Sequence, residues 1–347
     1  MLKKALLVVA TVLAFAVVGA AGEKIILKYS WADPADPMKQ STSAYAVTFK
    51  SELERLSGGR IQVDLYPAGQ LGDQRSSVEQ VSKGTIEMAN ISSGVLASLY
   101  FDKLGIVDMP FLFTSREHAA RTLDVRQPLI KKLVDECIEE TGIRIINLAP
   151  FGPRHITNNK RVIRNPEDMK GIKIRTMEVI PHMKLMQALG ATPTPIPILE
   201  LYTSLQTGVV DGQENPLQMI DVMKFYQVQK YVTISNHVMG IGGNLLNEKF
   251  YQSLPDDLKI ALVEADRVGQ LVYNGMGALL DAMATEIIHK QGMEMYVPTA
   301  EEIQQFRDIA IPSVKEFMEE DLGKEFVDDF LELVEEAHKT IEAEALQ

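Results

Sequence analysis

GIKIRTMEVIPHMKLMQALGATPTPIPILELYTSLQTGVVDGQENP, residues 171–216, carries the reading of the fold. The alternating run IKIRT after Gly171 reads as a strand. HMKLMQALG has helical spacing and a glycine stop at Gly190. The proline-rich TPTPIPILELYTSLQTG holds an extended piece and then a helix that stops at Gly208. VVDG, residues 209–212, reads as the next strand, with Asp211-Gly212 as a tight turn. Pro216 suits the first position of a following helix.

The same rhythm extends outward. KIILKYSWA and RIQVDLYP alternate like strands, and SAYAVTFKSELERLSGG between them is helical with a Gly58-Gly59 stop. RSSVEQVSKG reads as a short helix, IEMANISS as a strand, PLIKKLVDECIEETG as a helix and IRIINLAPFG as a strand. Strand–helix–strand alternation predicts an open α/β sheet with helices on its faces. From Pro255 to about Gln291 the helical pattern runs without a proline, long enough to span about 50 Å, and Gly269, Gly275 and Gly277 are the places where it would bend. The tail is helical and acidic. Two α/β domains joined by crossing strands and one large α/β domain both fit this pattern.

The totals narrow the function. The chain has 347 residues, 46% hydrophobic and 24% charged, which is enough for one or two domains with sizeable cores. A net charge of −12 argues against nucleic acid as a partner, because a basic face is needed to displace counterions. It leaves room for a small anion held by a few buried arginines. Residues 1–22 carry Lys3 and Lys4, an apolar run from Ala5 to Val18 and small residues up to Gly22, the three-part pattern of a secretory signal peptide. No cysteine lies at that junction, and Cys137 is the only one in the chain, a helix thiol expected to be partly buried.

The chain contains no H-E-x-x-H, no G-x-S-x-G and no phosphate-binding G-x-x-x-x-G-K-[ST]. Its six histidines are scattered without metal-ligand spacing and read as surface or packing residues, so neither a metal nor a cofactor is expected. DGQEN, residues 211–215, fails the calcium-loop spacing. A carboxylate pair of Asp211 and Glu214, in a secreted hydrolase or lyase, is the catalytic alternative, but neither acid has a nucleophile or base nearby in sequence. The arginines say more. Arg154 and Arg175 end strands, and Asn215 lies just beyond one. Ligands of open α/β sheets sit outside the carboxyl ends of strands, and a guanidinium fork matches a carboxylate. A strand-end arginine is also often a solvated surface residue.

Residues 171–216, with LYPAGQLGDQRSSVEQVSKGTIEMA and PRHITNNKRVIRNPEDMKG, strongly resemble the solute-binding subunits of TRAP (tripartite ATP-independent periplasmic) transporters. The likeness runs from about Lys24 into the tail, and the ordered set G-D-x-R, I-R and D-G-Q-E-N-P is highly specific. The resemblance implies an α/β, two-domain periplasmic-binding-protein fold with a central cleft, hinge strands and one long helix spanning both domains. One domain would hold residues 24–151 and 241–280, the other 152–240 and 281–347. It further implies a periplasmic receptor, without catalysis, that captures a small organic acid such as a C4-dicarboxylate or sugar acid. The receptor delivers it to the small and large integral-membrane subunits, and a monomer is the simpler assembly. A sensor-only receptor is the third reading. Carried over residue by residue, the resemblance puts the carboxylate-binding arginine on Arg175, a second ligand-contacting arginine on Arg154 and the supporting amide on Asn215. Further pocket positions fall on Trp31, Ala32, Asp73, Ser92 and Ile198. Sialate-binding members resemble this chain with an acid at the place of Ser92 and an aromatic at that of Ile198, departures that point away from sialate.

Overall fold

The computed structural model describes residues 24–346, so the signal-peptide segment 1–22 lies outside the described residues. Eleven strands form two sheets: β1 (Ile25–Trp31), β2 (Ile61–Tyr66), β3 (Met88–Ser92), β4 (Ile143–Pro153), β5 (His155–Asn158), β6 (Lys173–Thr176), β7 (Thr192–Pro195), β8 (Gly212–Asn215), β9 (Tyr231–Thr233), β10 (Met239–Asn247) and β11 (Glu294–Tyr296). The first sheet has the order β2-β1-β3-β10-β4 and the second β11-β9-β5-β8-β6-β7. β1 runs parallel to β2 and β3, whereas β10 is antiparallel to both of its neighbours. All nine residues of β10 are buried, as expected for a central strand covered on both faces.

The chain passes between the sheets where these strands end. Only Arg154 separates β4 from β5, and its backbone N–H donates to the Val238 carbonyl at 2.8 Å. Pro153 pairs with Met239, so the outgoing and returning segments cross side by side. The third tie is a single helix, Asp256–Lys290, whose 35 residues reach about 52 Å at ~1.5 Å per residue. It packs on the helix Ser41–Leu56 of the first lobe and on Leu217–Val222 of the second. Its buried residues Leu258, Leu262, Ala265, Gly269, Tyr273, Gly277, Leu280, Ala284 and Ile288 recur every three or four positions, which gives one continuous apolar stripe. The three glycines do not interrupt it. The helix Ala300–Leu322 packs on Ile180–Ala188, and the last helix, Lys324–Ala345, returns to Arg116–Thr122, where the Val334 carbonyl lies 2.8 Å from His118 Nε2.

The expected turn at Asp211-Gly212 gives way to a bend at Asp211 and strand from Gly212. β8 covers Gly212–Asn215, three positions later than VVDG predicts. Gly212 does not take a positive φ; it is glycine because a β-carbon there would lie 2.1 Å from the Thr157 carbonyl oxygen across the sheet. Arg175 is likewise the third residue of β6, one before its end, and Pro216 caps the helix Leu217–Val222 without being part of it.

Glycine-to-alanine changes within the long helix should separate packing from propensity. Gly275 is exposed with open space around its Cα, so Gly275→Ala should raise stability by roughly 0.5–1 kcal/mol. At Gly269 an added β-carbon would meet the buried Tyr45 ring at 2.7 Å, so Gly269→Ala should lower the melting temperature instead. Thermal unfolding of the two variants checks the opposite signs.

Candidate functional site

The crossing of the strands places a charge inside the protein. β5 pairs antiparallel with β8, with His155 opposite Asn215 and Ile156 opposite Glu214. Arg154, just before β5, therefore reaches the end of β8. Its Nε donates to Glu214 Oε2, and its Nη2 donates to Glu214 Oε1 at 2.9 Å, to the Glu214 carbonyl at 2.5 Å and to Asn215 Oδ1 at 3.2 Å. Both ionic side chains are fully enclosed. Two histidines stand on the other sides of the carboxylate, His182 Nδ1 at 3.5 Å and His237 Nε2 at 3.4 Å, which are ion-pair separations and not hydrogen bonds. Burial pushes the Glu214 carboxyl up, but Arg154 and His182 outweigh it and hold it well below the usual range. His182 also meets Asp108 of the first lobe at 3.0 Å through Nε2, and Ser93 Oγ donates to that acid at 3.2 Å. A chain of charge thus runs from one lobe to the other beneath the cleft.

Arg175 has no such partner. Its Nε donates to the Ile196 carbonyl at 2.7 Å, which fixes the guanidinium, while its buried Nη1 has no hydrogen-bond partner. No carboxylate bridges it among the described residues. Burial pulls its pKa down to about 9, and it stays charged at neutral pH. An orphaned buried donor costs about 1–3 kcal/mol, a cost that an incoming anion removes. Asn215 is held by a relay of side chains: its Nδ2 donates to Gln213 Oε1 at 2.5 Å, Gln213 Nε2 donates to Thr157 Oγ1 at 2.9 Å, and Thr157 donates to Gln229 Oε1 at 2.9 Å.

Arg154, Arg175 and Asn215 line one cleft of about 550 Å³ between the lobes. Ala32, Ser92 and Ile198 line it too. Asp73 stands at the mouth, where its carboxylate caps the helix Gln74–Lys83 by accepting from Ser76 N at 2.9 Å. Trp31 lies elsewhere: its indole is in the first-lobe core, 5.4 Å from the Tyr29 ring, and donates to Ser43 Oγ at 3.2 Å. Sequence reasoning missed Asp33, Gln74, Asn90, Met177, Met219 and Tyr273 in the lining, together with the buried His182 and His237 behind it. Asp33 sits two positions past a strand and Tyr273 in the stripe of a long helix, so neither stands out by pattern. The lobes touch at the mouth through Arg75 and Glu178, 3.3 Å apart, and through Ile180 N–H donating to Ser98 Oγ at 3.3 Å.

The carboxylate pair dissolves in three dimensions. Asp211 points outward to Lys160 at 3.0 Å and accepts from Lys173 N at 2.9 Å, whereas Glu214 points inward to Arg154. Among the described residues no group of three or more His, Cys, Asp or Glu is arranged to hold a metal, and no helix is long and apolar enough to cross a membrane. Cys137 is fully buried, and burial pushes its thiol up to about 11.

The family described as bacterial extracellular solute-binding protein, family 7, matches residues 34–321. A solute-binding protein of Verminephrobacter eiseniae is 36% identical over 246 residues, 71% of this chain and 72% of that one. The sialic acid-binding periplasmic protein SiaP of Vibrio cholerae is 30% identical over 266 residues, 76% of this chain and 80% of that one. Among solved structures, the sugar acid binding protein DctPAm of Advenella mimigardefordensis, in complex with galactonate, matches with a TM-score of 0.85 at 29% identity, covering 91% of this chain and 99% of that chain.

The buried network has a pH signature. Burial pushes the His182 imidazole down, but Glu214 and Asp108 outweigh it and hold it up at about 9. The unfolded value is about 6.5, so the folded value is the higher one. Its contribution to stability is therefore whole below about pH 6.5 and lost as pH rises towards 9. The urea midpoint should fall across that window, and His182→Gln should flatten the fall. An unchanged slope in the variant would contradict the assignment.

Proposed function

Because the chain belongs to bacterial extracellular solute-binding protein family 7, whose members are solute receptors of TRAP transporters and not enzymes, we propose that it captures a small organic acid anion in the interlobe cleft. It hands this ligand to the small and large integral-membrane subunits of such a transporter. The observation that carries the reading is the buried, unpaired Nη1 of Arg175 facing the cleft. Arg175 forks the carboxylate, Asn215 adds a directional hydrogen bond, and Arg154 completes the positive wall while tied to Glu214. The lobes are 24–151 with 241–280 and 152–240 with 281–347. They close on the ligand by rotating about the crossing at Arg154, and closure removes water and strengthens each charged contact. The receptor works as a monomer in the periplasm, exported by the signal peptide at residues 1–22.

The two arginines should answer differently to removal. A hydrogen bond to a charged group nets about 1.5–3 kcal/mol and the fork makes two, so Arg175→Ala should weaken binding of the cognate acid by about 100-fold or more in calorimetry. The same change should leave the melting temperature of the free protein unchanged or raised, because it removes an uncompensated buried cation. Arg154→Ala strands Glu214 and should cost about 3–5 kcal/mol of stability in chemical unfolding. Wild-type affinity in Arg175→Ala would sink the proposal.

A further inference from the structure

Resting on the anion-receptor reading, we propose that the cleft selects a polyhydroxylated monocarboxylate, of the aldonate type, over a dicarboxylate, and that Asp33 and Tyr273 read its hydroxyls.

The charge inventory of the cleft comes first. Among the described residues two cationic side chains line it, Arg154 and Arg175. Arg154 is neutralised by Glu214, so Arg175 alone is free to meet a carboxylate. Arg75, at the mouth, is bridged to Glu178 and more than half exposed. One carboxylate therefore finds a cation free to meet it, and a second one has no counter-charge waiting for it.

The wall supplied by the first lobe is built for a different partner. Asp33 Oδ2 accepts from the Thr42 hydroxyl at 2.9 Å, and its other oxygen has no hydrogen-bond partner in the protein. Burial raises this acid to about 6, so at neutral pH it is still mostly ionised. The Tyr273 hydroxyl is buried and without a partner. Gly242 keeps the space beside it open, since a β-carbon there would lie 3.0 Å from that hydroxyl and 3.8 Å from Asn90 Nδ2. Asn90 donates one amide N–H to Asn244 Oδ1 at 3.1 Å, which leaves its second N–H and its carbonyl oxygen for a ligand. Gln74 spends its carbonyl oxygen on the Ser92 N–H at 2.8 Å and so offers its amide nitrogen.

The wall therefore mixes an acceptor, Asp33, with donors, Gln74 and Tyr273, and with Asn90, which can do both. A hydroxyl donates one hydrogen bond and accepts others, so a chain of hydroxylated carbons satisfies both kinds at once. A carboxylate only accepts. Placed against this wall it meets the Asp33 charge, leaves the Asn90 carbonyl unpaired and finds no cation. The same wall that welcomes a polyol tail thus repels a second acid, which is specificity by an element that disfavours the competitor.

Calorimetry on the full mature chain at pH 7.5 tests this with two ligand panels: D-gluconate, D-galactonate, L-gulonate and D-erythronate against succinate, L-malate and fumarate. At least one aldonate should bind 100-fold or more tighter than every dicarboxylate. Asp33→Asn and Tyr273→Phe should each weaken that aldonate at least tenfold, while Asp33→Asn leaves succinate unchanged or improved. Melting curves of both variants without ligand show that they fold, and either folded variant suffices for the reading. A dicarboxylate that binds as tightly as the aldonates, binding of neither class, or unchanged aldonate affinity in the variants would overturn the proposal. Arg175→Ala separates the two levels. If dicarboxylates win and still depend on Arg175, only the hydroxyl reading fails; if tight binding survives without Arg175, the anion-receptor reading fails with it.

Discussion

Everything at this site follows from one buried ion pair at the point where the chain crosses between its sheets. Arg154 is the single residue between β4 and β5, and Glu214 is the last but one residue of the neighbouring strand β8. Removing both from water is expensive, and the pair survives because its geometry is bidentate and its remaining valences are filled by the Glu214 carbonyl and Asn215. The pair therefore fixes three things together: the angle at which the strands leave the crossing, the pose of Asn215, and the sign of charge left over in the cleft. That leftover charge is Arg175.

The free protein holds a small deficit there. A fixed guanidinium with an orphaned donor is unfavourable in the absence of a ligand, and the anion that relieves it gains the difference as affinity. Because the cleft walls belong to different lobes, the proposed ligand would touch both only when they close. Closure itself adds little of its own: the Arg75–Glu178 bridge at the mouth is exposed, and such pairs contribute about 0–1 kcal/mol. In the proposed closure the favourable energy would come from the ligand, as a receptor that must later release its cargo requires.

Much of this was legible in the sequence, and the failures have physical reasons. Arg154, Arg175 and Asn215 were readable because strand ends mark where ligands of α/β sheets bind, and the structure gathers all three on one cleft. The strand at Gly212–Asn215 was misplaced because Gly212 looked like a turn residue. Its lack of a side chain serves close strand packing, which no local pattern reveals. The family resemblance placed Trp31 among the pocket positions, but its side chain faces the aromatic core of Tyr29, Tyr45 and Phe49. Asp33 and Tyr273 come from segments 240 positions apart and meet only through the long helix, so their partnership exists in three dimensions alone. The histidines looked scattered for the same reason: His182 and His237 converge on Glu214 from separate segments.

The central claim is that Arg175 waits for a negative charge and not merely for a hydrogen-bond acceptor. A matched pair of ligands isolates that charge: an aldonate and the corresponding aldonamide, which share every hydroxyl and differ only at the carboxyl group. Melting temperature, measured with each at the same concentration, reads binding through linkage. The aldonate should raise the melting temperature and the amide should leave it where it was. An equal rise with both would contradict the claim.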